Sequence, residues 1–243
     1  MKYGELTVQK SPRWVYQASP YNHNSAKVAA LPVEVTGYVL LDTMIRRCGY
    51  KTFDGLRILD FGCGSRFGQT IWNLNLPVGL YLGIDQNDKA ITWCRENLVA
   101  ERMAFHRINM RNKGYNPKGE WPSPGYIVDL GHRNFDIASM FSVITHQQPD
   151  EADLVFRMLY EAVRPGGKMY FTAFLDPATR DYREGDETKP GHMSTYNPDF
   201  LISIVEAAGW TLIEAHEPGP LNATAFICRR RDDRPLWKRV VGV

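Results

Sequence analysis

The sequence has 243 residues, of which 44% are hydrophobic and 23% charged, and its formal net charge at pH 7 is +2. This size and composition suit one globular α/β domain with additions. The near-neutral charge gives no reason to expect nucleic acid or an anionic membrane as a partner. The four cysteines are widely spaced and match no zinc or disulfide pattern. The N-terminus lacks the apolar stretch of a signal peptide. No apolar run reaches the roughly 18 residues of a membrane span. We therefore expect reduced thiols, no metal and a cytoplasmic location.

The first 50 residues differ in pattern from the rest of the chain. Residues 1–25 are polar and aromatic without a clear period, which indicates an irregular arm. Residues 27–48 carry apolar side chains at intervals near 3.6, which predicts a helix with Pro32 early in it. We expect residues 1–50 to pack as an arm and a helix on a main domain formed by residues 51–243.

Short apolar runs and helical patterns alternate from residue 56 onward. The predicted strands cover residues 57–61, 79–85, 103–109, 135–140, 168–174, 211–217 and 222–229, and the predicted helices cover residues 88–98, 151–163 and 198–208. Residues 111–134 and 175–197 are expected to be loops, since breakers or polar residues dominate them. This order predicts a doubly wound α/β fold with a mostly parallel seven-stranded sheet, in which the last strand is antiparallel because only a short turn precedes it.

A glycine-rich turn follows the first strand of the main domain. Gly62, Gly64 and Gly68 allow positive φ angles and a close approach of the backbone to a ligand, and a helix N-terminus after the turn presents unpaired N–H groups. Asp85 ends the next strand and can accept hydrogen bonds from both hydroxyls of a ribose. Turn and acid together indicate a nucleotide site. The alternatives are a tight turn without a ligand and an Asp that only caps a helix.

The run Leu59-Asp60-Phe61-Gly62-Cys63-Gly64 resembles motif I of class I S-adenosylmethionine-dependent methyltransferases, and Val163-Arg164-Pro165-Gly166-Gly167 resembles the Pro-Gly-Gly turn of the same family. Asp60 before the turn would repel a pyrophosphate but tolerate the ammonium of S-adenosylmethionine. NAD is therefore the weaker alternative. The resemblance implies a Rossmann-like methyltransferase fold, S-adenosylmethionine as cofactor, and a cofactor site formed by Asp60, Gly62, Cys63, Gly64, Gly68, Asp85, Gln86, Asn109, Met110 and Ser142.

Within that site the resemblance gives particular residues particular roles. Asp85 would bind the ribose with Gln86 beside it, and Asn109 would meet the adenine amino group while Met110 packs on the ring. The family often has an acid where this chain has Asn109. Residues 115–117, 135–136 and 142–146 resemble bacterial members that act on small molecules, often sugars or secondary metabolites.

His146 follows the fourth strand by a few residues and is the candidate general base, since a hydroxyl acceptor must lose its proton. The alternative is a loop histidine that bonds the backbone or caps the next helix. Further candidates are His192 and the run Tyr21-Asn22-His23, and Trp14, Tyr16 and Tyr21 are candidates for an apolar lid.

The acceptor is expected to be a small molecule methylated at a hydroxyl. The Asn/Asp-Pro-Pro-aromatic turn typical of enzymes that methylate DNA bases is absent after the fourth strand, where Phe141-Ser142-Val143-Ile144 stands instead. The rival hypotheses are a non-catalytic module that binds S-adenosylmethionine or a nucleotide, and an NAD-dependent oxidoreductase.

Overall fold

The computed structural model describes residues 15–21, 31–113, 115–185, 193–217 and 223–231. Its centre is a sheet of seven strands in the order β3-β2-β1-β4-β5-β9-β8. Strands β3, β2, β1, β4 and β5 pair in parallel with their neighbours in this order, and β9 is antiparallel to both β5 and β8. The nine strands within the described residues are β1 Arg57–Phe61, β2 Leu80–Asp85, β3 Met103–Arg107, β4 Phe135–Met140, β5 Val163–Leu175, β6 Tyr182–Arg183, β7 Thr195–Tyr196, β8 Trp210–His216 and β9 Thr224–Arg230.

Helices cover both faces of this sheet. Successive residues of a strand point to opposite faces, and in β1 the side chain of Ile58 joins one apolar cluster while Leu59 joins the other. Both side chains are fully buried. The predicted doubly wound fold is thereby confirmed. The helices of the described residues are α1 Val33–Arg47, α2 Arg66–Asn73, α3 Asp88–Asn97, α4 Tyr126–Asp129, α5 Pro149–Ala162 and α6 Pro198–Ala207, and a 3-10 turn lies at Ile144–His146.

The two regions predicted to be loops contain short regular elements. The four-residue helix α4 lies within residues 111–134, and the two-residue strands β6 and β7 lie within residues 175–197. Strand β5 explains the second difference. It runs on to Leu175, beyond its pairing with β9, and its last two residues pair with β7. The fully buried ring of Tyr196 anchors β7 there.

Several helices and strands begin or end at other residues than predicted. Helix α1 begins at Val33, and Pro32 lies at its N-cap instead of inside it. Strand β3 ends at Arg107, two residues before the predicted end. Strand β5 begins at Val163, because that residue already pairs with Phe135, so the Pro-Gly-Gly run lies within the strand. No helix among the described residues is long and apolar enough to cross a membrane.

Helix α2 is the element that ties the N-terminal part of the chain to the sheet. Helix α1 packs on α2, and the short segment 15–21 is hydrogen-bonded to the same helix. The side chain of Asn73 pairs with both backbone groups of Gln17, at 2.9 and 2.7 Å, and Gln69 Oε1 accepts from Ser19 N at 2.8 Å. These contacts hold segment 15–21 beside the helix that follows the glycine turn.

Candidate active site

A cleft of about 410 Å³ opens at the carboxyl ends of β1, β2 and β4. Ligands of open parallel sheets bind at this edge, where the strand order reverses. Six of the residues singled out from the sequence line the cleft together: Gly62, Asp85, Gln86, Met110, Ser142 and His146. They come from four separate segments of the chain, and the fold brings them together.

The glycine turn forms one wall of the cleft. Gly62 and Gly64 have φ angles of 74° and 49°, in the region that favours glycine. The N–H groups of Gly62 and Cys63 both donate to the carbonyl of Ile84, at 2.7 and 3.1 Å, which holds the turn against β2. A side chain at Gly62 would overlap Val143, which packs directly on the turn. Conformation and close packing both require glycine at this position.

Asp85 is held in place by the backbone on both sides. Its Oδ2 accepts from Gly64 N and its Oδ1 from Asn87 N, each at 2.8 Å. These bonds fix the orientation of the carboxylate at the mouth of the cleft. Each carboxylate oxygen has two lone pairs, so both can still accept a hydrogen bond from a ligand.

Ile108, Met110 and Phe141 give the cleft its apolar surface, and the first two are buried. Gln86 lines it too, but its Oε1 is buried, without a hydrogen-bond partner in the described parts of the chain. Further polar lining residues are Asn87, Arg111, Asn112 and Ser142. An apolar surface beside the fixed carboxylate of Asp85 matches a flat base joined to a ribose.

The far end of the cleft is lined by His146, at the end of the 3-10 turn. The Tyr115 ring meets the imidazole edge to face, with centroids 5.4 Å apart, and its hydroxyl lies 3.5 Å from Nδ1. Asn112 Nδ2 donates to the backbone carbonyl of His146 at 2.8 Å. The imidazole is thus positioned by residues that follow β3.

A buried carboxylate joins the two segments beneath His146. Glu151 Oε2 accepts from Asn112 Nδ2 and Gln148 N, at 3.0 and 2.9 Å, and its Oε1 accepts from Lys113 N at 2.8 Å. Burial raises the pKa of Glu151, although the N–H groups of Gln148 and Lys113 act in the opposite direction. Glu151 therefore fixes the loop after β3 against the start of α5.

Asp60 points away from the cleft. It is 2% exposed and accepts from the Tyr81 hydroxyl and Ser139 Oγ, both at 2.8 Å, between neighbouring strands. Burial raises the pKa of Asp60 to about 7, against the opposing effect of the two hydrogen bonds. The geometry makes Asp60 a support beneath the turn, without contact to the cleft.

Four other predicted cofactor residues do not line the cleft either. Cys63 is buried behind the turn, Gly64 contacts Asp85 through its N–H, and Gly68 lies in α2, where a Cβ would approach Phe105 to 3.0 Å. Asn109 is exposed, and its side chain bonds to Glu120 and Asn116 at 3.1 and 3.0 Å. The first three shape the turn, whereas Asn109 belongs to the following loop.

Of the residues proposed for a lid or as further loop candidates, the structure describes only Tyr16 and Tyr21. Tyr16 is 55% exposed and donates to Glu34 at 3.1 Å, and neither it nor Tyr21 lines the cleft. The other candidates, Trp14, Asn22, His23 and His192, lie outside the described residues.

Three residues at the far end were missed from the sequence. Tyr115 was noted only within the run 115–117 that resembles the family, with no role in the site, and Gln147 follows His146 without a recognisable motif. Glu151 did carry a signal, because Gln148-Pro149-Asp150-Glu151 has the spacing of a capping box at a helix start. That signal concerns the helix, and only the structure shows its second function as a support for the cleft.

The sheet with one antiparallel strand, the glycine turn and the acid after β2 define the class I S-adenosylmethionine-binding domain. The chain matches the family described as "Methyltransferase domain" over residues 36–215. It belongs to this family, which confirms both the predicted class and S-adenosylmethionine as the cofactor.

Similarity to individual proteins agrees with this membership. An arsenite methyltransferase of Aquipseudomonas alcaligenes is 29% identical over 185 residues, which are 70% of this chain and 49% of that protein. The chain thus spans about half the length of this curated relative. A Mesorhizobium loti S-adenosylmethionine-dependent methyltransferase has a TM-score of 0.53 at 18% identity, with 78% of this chain and 97% of that chain covered. A Burkholderia thailandensis 1,6-didemethyltoxoflavin N1-methyltransferase with bound S-adenosylhomocysteine has a TM-score of 0.54 at 13% identity, with 82% and 79% covered. The two structures support the fold.

Proposed function

We propose that this protein transfers the methyl group of S-adenosylmethionine to a hydroxyl of a small molecule bound in the cleft. The supporting observation is the arrangement of the cleft itself. A carboxylate fixed by two backbone N–H groups, that of Asp85, lies at one end, and the imidazole of His146 lies at the other. This arrangement suits a nucleoside-containing donor and a protic acceptor that share one chamber.

The cofactor would be held by the turn, β2 and the residues after β3. Asp85 would bind the ribose hydroxyls, Met110 and Ile108 would contact the adenine ring, and Gly62 would let the backbone approach the amino-acid tail. Ser142 lies at the same wall with a φ of 57°, and its N–H is already bonded to Thr172 Oγ1 at 2.9 Å. When bound, the cofactor supplies an electrophilic methyl group on a sulfonium.

His146 is proposed as the general base. It accepts the proton of the acceptor hydroxyl as the oxygen takes the methyl group, so that charge does not build up on the product. Tyr115 and Asn112 hold the imidazole and its backbone in position, and the alignment of donor and acceptor contributes most of the remaining rate enhancement.

The cysteines favour an organic acceptor over a metalloid. The curated relative is named for arsenite, and a soft, thiophilic ion of this kind is bound by thiolates. All four cysteines of this chain are buried, and none lines the cleft. Burial raises the pKa of Cys48 and Cys94 to about 12 and raises that of Cys63 and Cys228 as well. These thiols are protonated at neutral pH and closed off from the cleft.

The test is the formation of S-adenosylhomocysteine from S-adenosylmethionine with a library of hydroxylated small molecules. With the best acceptor, His146→Ala should lower turnover by about 100-fold, and the affinity for S-adenosylhomocysteine, measured by calorimetry, should be unchanged. His216→Ala is the control, since His216 lies on β8 and bonds to Glu214 at 2.9 Å, away from the cleft. Full turnover in His146→Ala would exclude His146 as the base, and no product with any acceptor would favour a non-catalytic binding module.

A further inference from the structure

The 3-10 turn that carries His146 is a short element held by local hydrogen bonds. His146 N donates to the Val143 carbonyl at 2.9 Å, and Gln147 N donates to the Ile144 carbonyl at 3.2 Å. The hydrogen bonds of a 3-10 turn have poorer geometry than those of an α-helix. The position of the proposed base therefore depends on contacts from other parts of the chain.

Three consecutive backbone carbonyls of this segment accept hydrogen bonds from distant residues. The pairs are Thr145 O with Ser194 N at 2.7 Å, His146 O with Asn112 Nδ2 at 2.8 Å, and Gln147 O with the Tyr196 hydroxyl at 2.8 Å. Two of the three donors belong to residues 194–196, the segment that contains strand β7. This segment thus holds the backbone on both sides of His146.

Strand β7 is itself anchored to the main sheet. It pairs in parallel with the last two residues of β5, and Ser194 and Tyr196 are fully buried. The Tyr196 ring packs on that of Tyr182 in β6, with centroids 5.1 Å apart, and the Tyr182 hydroxyl lies 2.9 Å from Ser194 Oγ. The hydroxyl of Tyr196 therefore connects the turn of His146 to the sheet.

Unfavourable backbone conformations lie on both sides of this junction. Ser142, two residues before the 3-10 turn, has a φ of 57°, and Met193, directly before Ser194, has a φ of 61°. Residues other than glycine rarely adopt such angles, and they persist where the surrounding structure fixes them, most often at functional sites. The junction between β7 and the turn is thus held in one particular geometry.

We infer that Tyr196 is a positioning residue for methyl transfer, which fixes the 3-10 turn through the Gln147 carbonyl and acts on the reaction through His146. This inference rests on the proposed function, in which His146 takes the proton of the acceptor. Tyr196 is fully buried and does not line the cleft, so its effect is indirect. The segment between β5 and α6, predicted from the sequence only as a loop, thereby gains a role in the reaction.

The experiment removes the hydroxyl and keeps the ring. Turnover of Tyr196→Phe is measured with S-adenosylmethionine and the best acceptor of the library, well below the melting temperature. We expect it to fall about tenfold, because a displacement of about 1 Å near a reacting group can cost about 100-fold. The affinity for S-adenosylhomocysteine should stay within twofold of wild type. Tyr182→Phe is the matched control, since it loses a hydroxyl of the neighbouring strand that bonds to Ser194 Oγ, and its turnover should stay within twofold.

A double-mutant cycle separates positioning of His146 from a general structural role. His146→Ala has already lost the base, so adding Tyr196→Phe should lower the remaining turnover less than twofold. A tyrosine that only stabilised the fold would lower turnover by the same factor in both backgrounds.

Amide hydrogen exchange tests the contact without any acceptor. In Tyr196→Phe the peptide covering residues 141–150 should exchange about fivefold faster than in wild type, the effect of one lost hydrogen bond. The peptide covering residues 60–68, in the glycine turn, should exchange at the wild-type rate.

The inference is overturned if Tyr196→Phe keeps turnover within twofold of wild type, or if exchange at residues 141–150 is unchanged. Equal loss of turnover in the wild-type and His146→Ala backgrounds would also overturn it. Failure of the proposed function gives a different result, namely full turnover in His146→Ala or no methylated product with any acceptor. In that case the exchange rates still decide whether Tyr196 holds the turn.

Discussion

The two ends of the cleft are built in different ways. At the cofactor end the turn and Asp85 are joined by backbone N–H groups, from residues that lie about 20 positions apart. At the acceptor end Glu151 also accepts from two backbone N–H groups, but the bonded residues come from three segments: the loop after β3, the 3-10 turn and the start of α5. Two adjoining strand ends leave a short motif in the sequence, whereas contacts among three separate segments leave no such motif.

The largest expected effect is at the cofactor end. Asp85→Ala removes a carboxylate that orients the turn through Gly64 N and is proposed to bind the ribose. Because hydrogen bonds to a charged group contribute about 1.5–3 kcal/mol each, we expect the dissociation constant of S-adenosylhomocysteine to rise at least about 100-fold. Isothermal titration calorimetry measures this directly.

Asp88→Asn is the matched control for this prediction. Asp88 lies three residues further on, at the start of α3, where its side chain is 70% exposed and 3.6 Å from Arg107. An exposed pair of this kind contributes little, so affinity should stay within about twofold. Equal losses in the two variants would show that negative charge near the cleft matters, and would contradict the geometric role of Asp85.

The fold could be predicted because its core elements depend on local pattern. The strands at residues 57–61 and 135–140 are found where their apolar runs predicted them. The short strands β6 and β7 could not be predicted, since a two-residue strand has no periodicity of its own. Their position depends on the free end of β5 and on the burial of Tyr196.

The residues of the candidate site were likewise predicted only in part. The sequence motif led to Gly62 and Asp85, whose positions the backbone dictates. It also led to Asp60, whose place in the motif is correct but whose side chain lies between strands, where it meets Tyr81 and Ser139. The direction of a strand residue depends on the register of the sheet, and a short motif does not contain that information.

A second prediction concerns the support beneath the acceptor end. Glu151→Ala removes the acceptor of three hydrogen bonds, those from Asn112 Nδ2, Lys113 N and Gln148 N. We expect the free energy of unfolding to fall by about 2 kcal/mol and turnover to fall about tenfold. The affinity for S-adenosylhomocysteine should be nearly unchanged, because the contacts that hold the turn lie at the other end. Urea unfolding, calorimetry and product formation measure the three quantities.

Glu161→Gln, an exposed change on the same helix, is the control for Glu151→Ala and should alter none of these quantities. If Glu151→Ala weakened the cofactor as strongly as it lowered turnover, the two ends of the cleft would be one cooperative unit. The contrast between an end built at two adjoining strand ends and an end built from three segments would then have no functional meaning.

The smallest expected effect tests the buried carboxylate of Asp60. Its pKa in the folded protein is raised to about 7 by burial, from an ordinary value near 3.8. The folded state therefore binds this proton more tightly than the unfolded state does. The stability that it contributes is fully present below about pH 4 and is lost as the pH rises through about 7, with a slope of at most about 1.4 kcal/mol per pH unit. Asp60→Asn removes this slope.

We expect the difference in unfolding free energy, wild type minus Asp60→Asn, to fall by about 1 kcal/mol between pH 5.5 and pH 7, since protein relaxation reduces the ideal slope. Urea unfolding at four pH values gives this difference, in which all other titrating groups cancel. Affinity for S-adenosylhomocysteine should fall less than tenfold in the variant, because Asp60 acts on the turn through Tyr81 and Ser139 and does not reach the cleft. If the two stability curves ran parallel and affinity fell 100-fold as in Asp85→Ala, Asp60 would be an ionised cofactor ligand, as the motif alone suggested. If the affinity for S-adenosylhomocysteine stayed the same and the pH dependence of stability disappeared, Asp60 would stabilise the sheet beneath the turn without binding the cofactor.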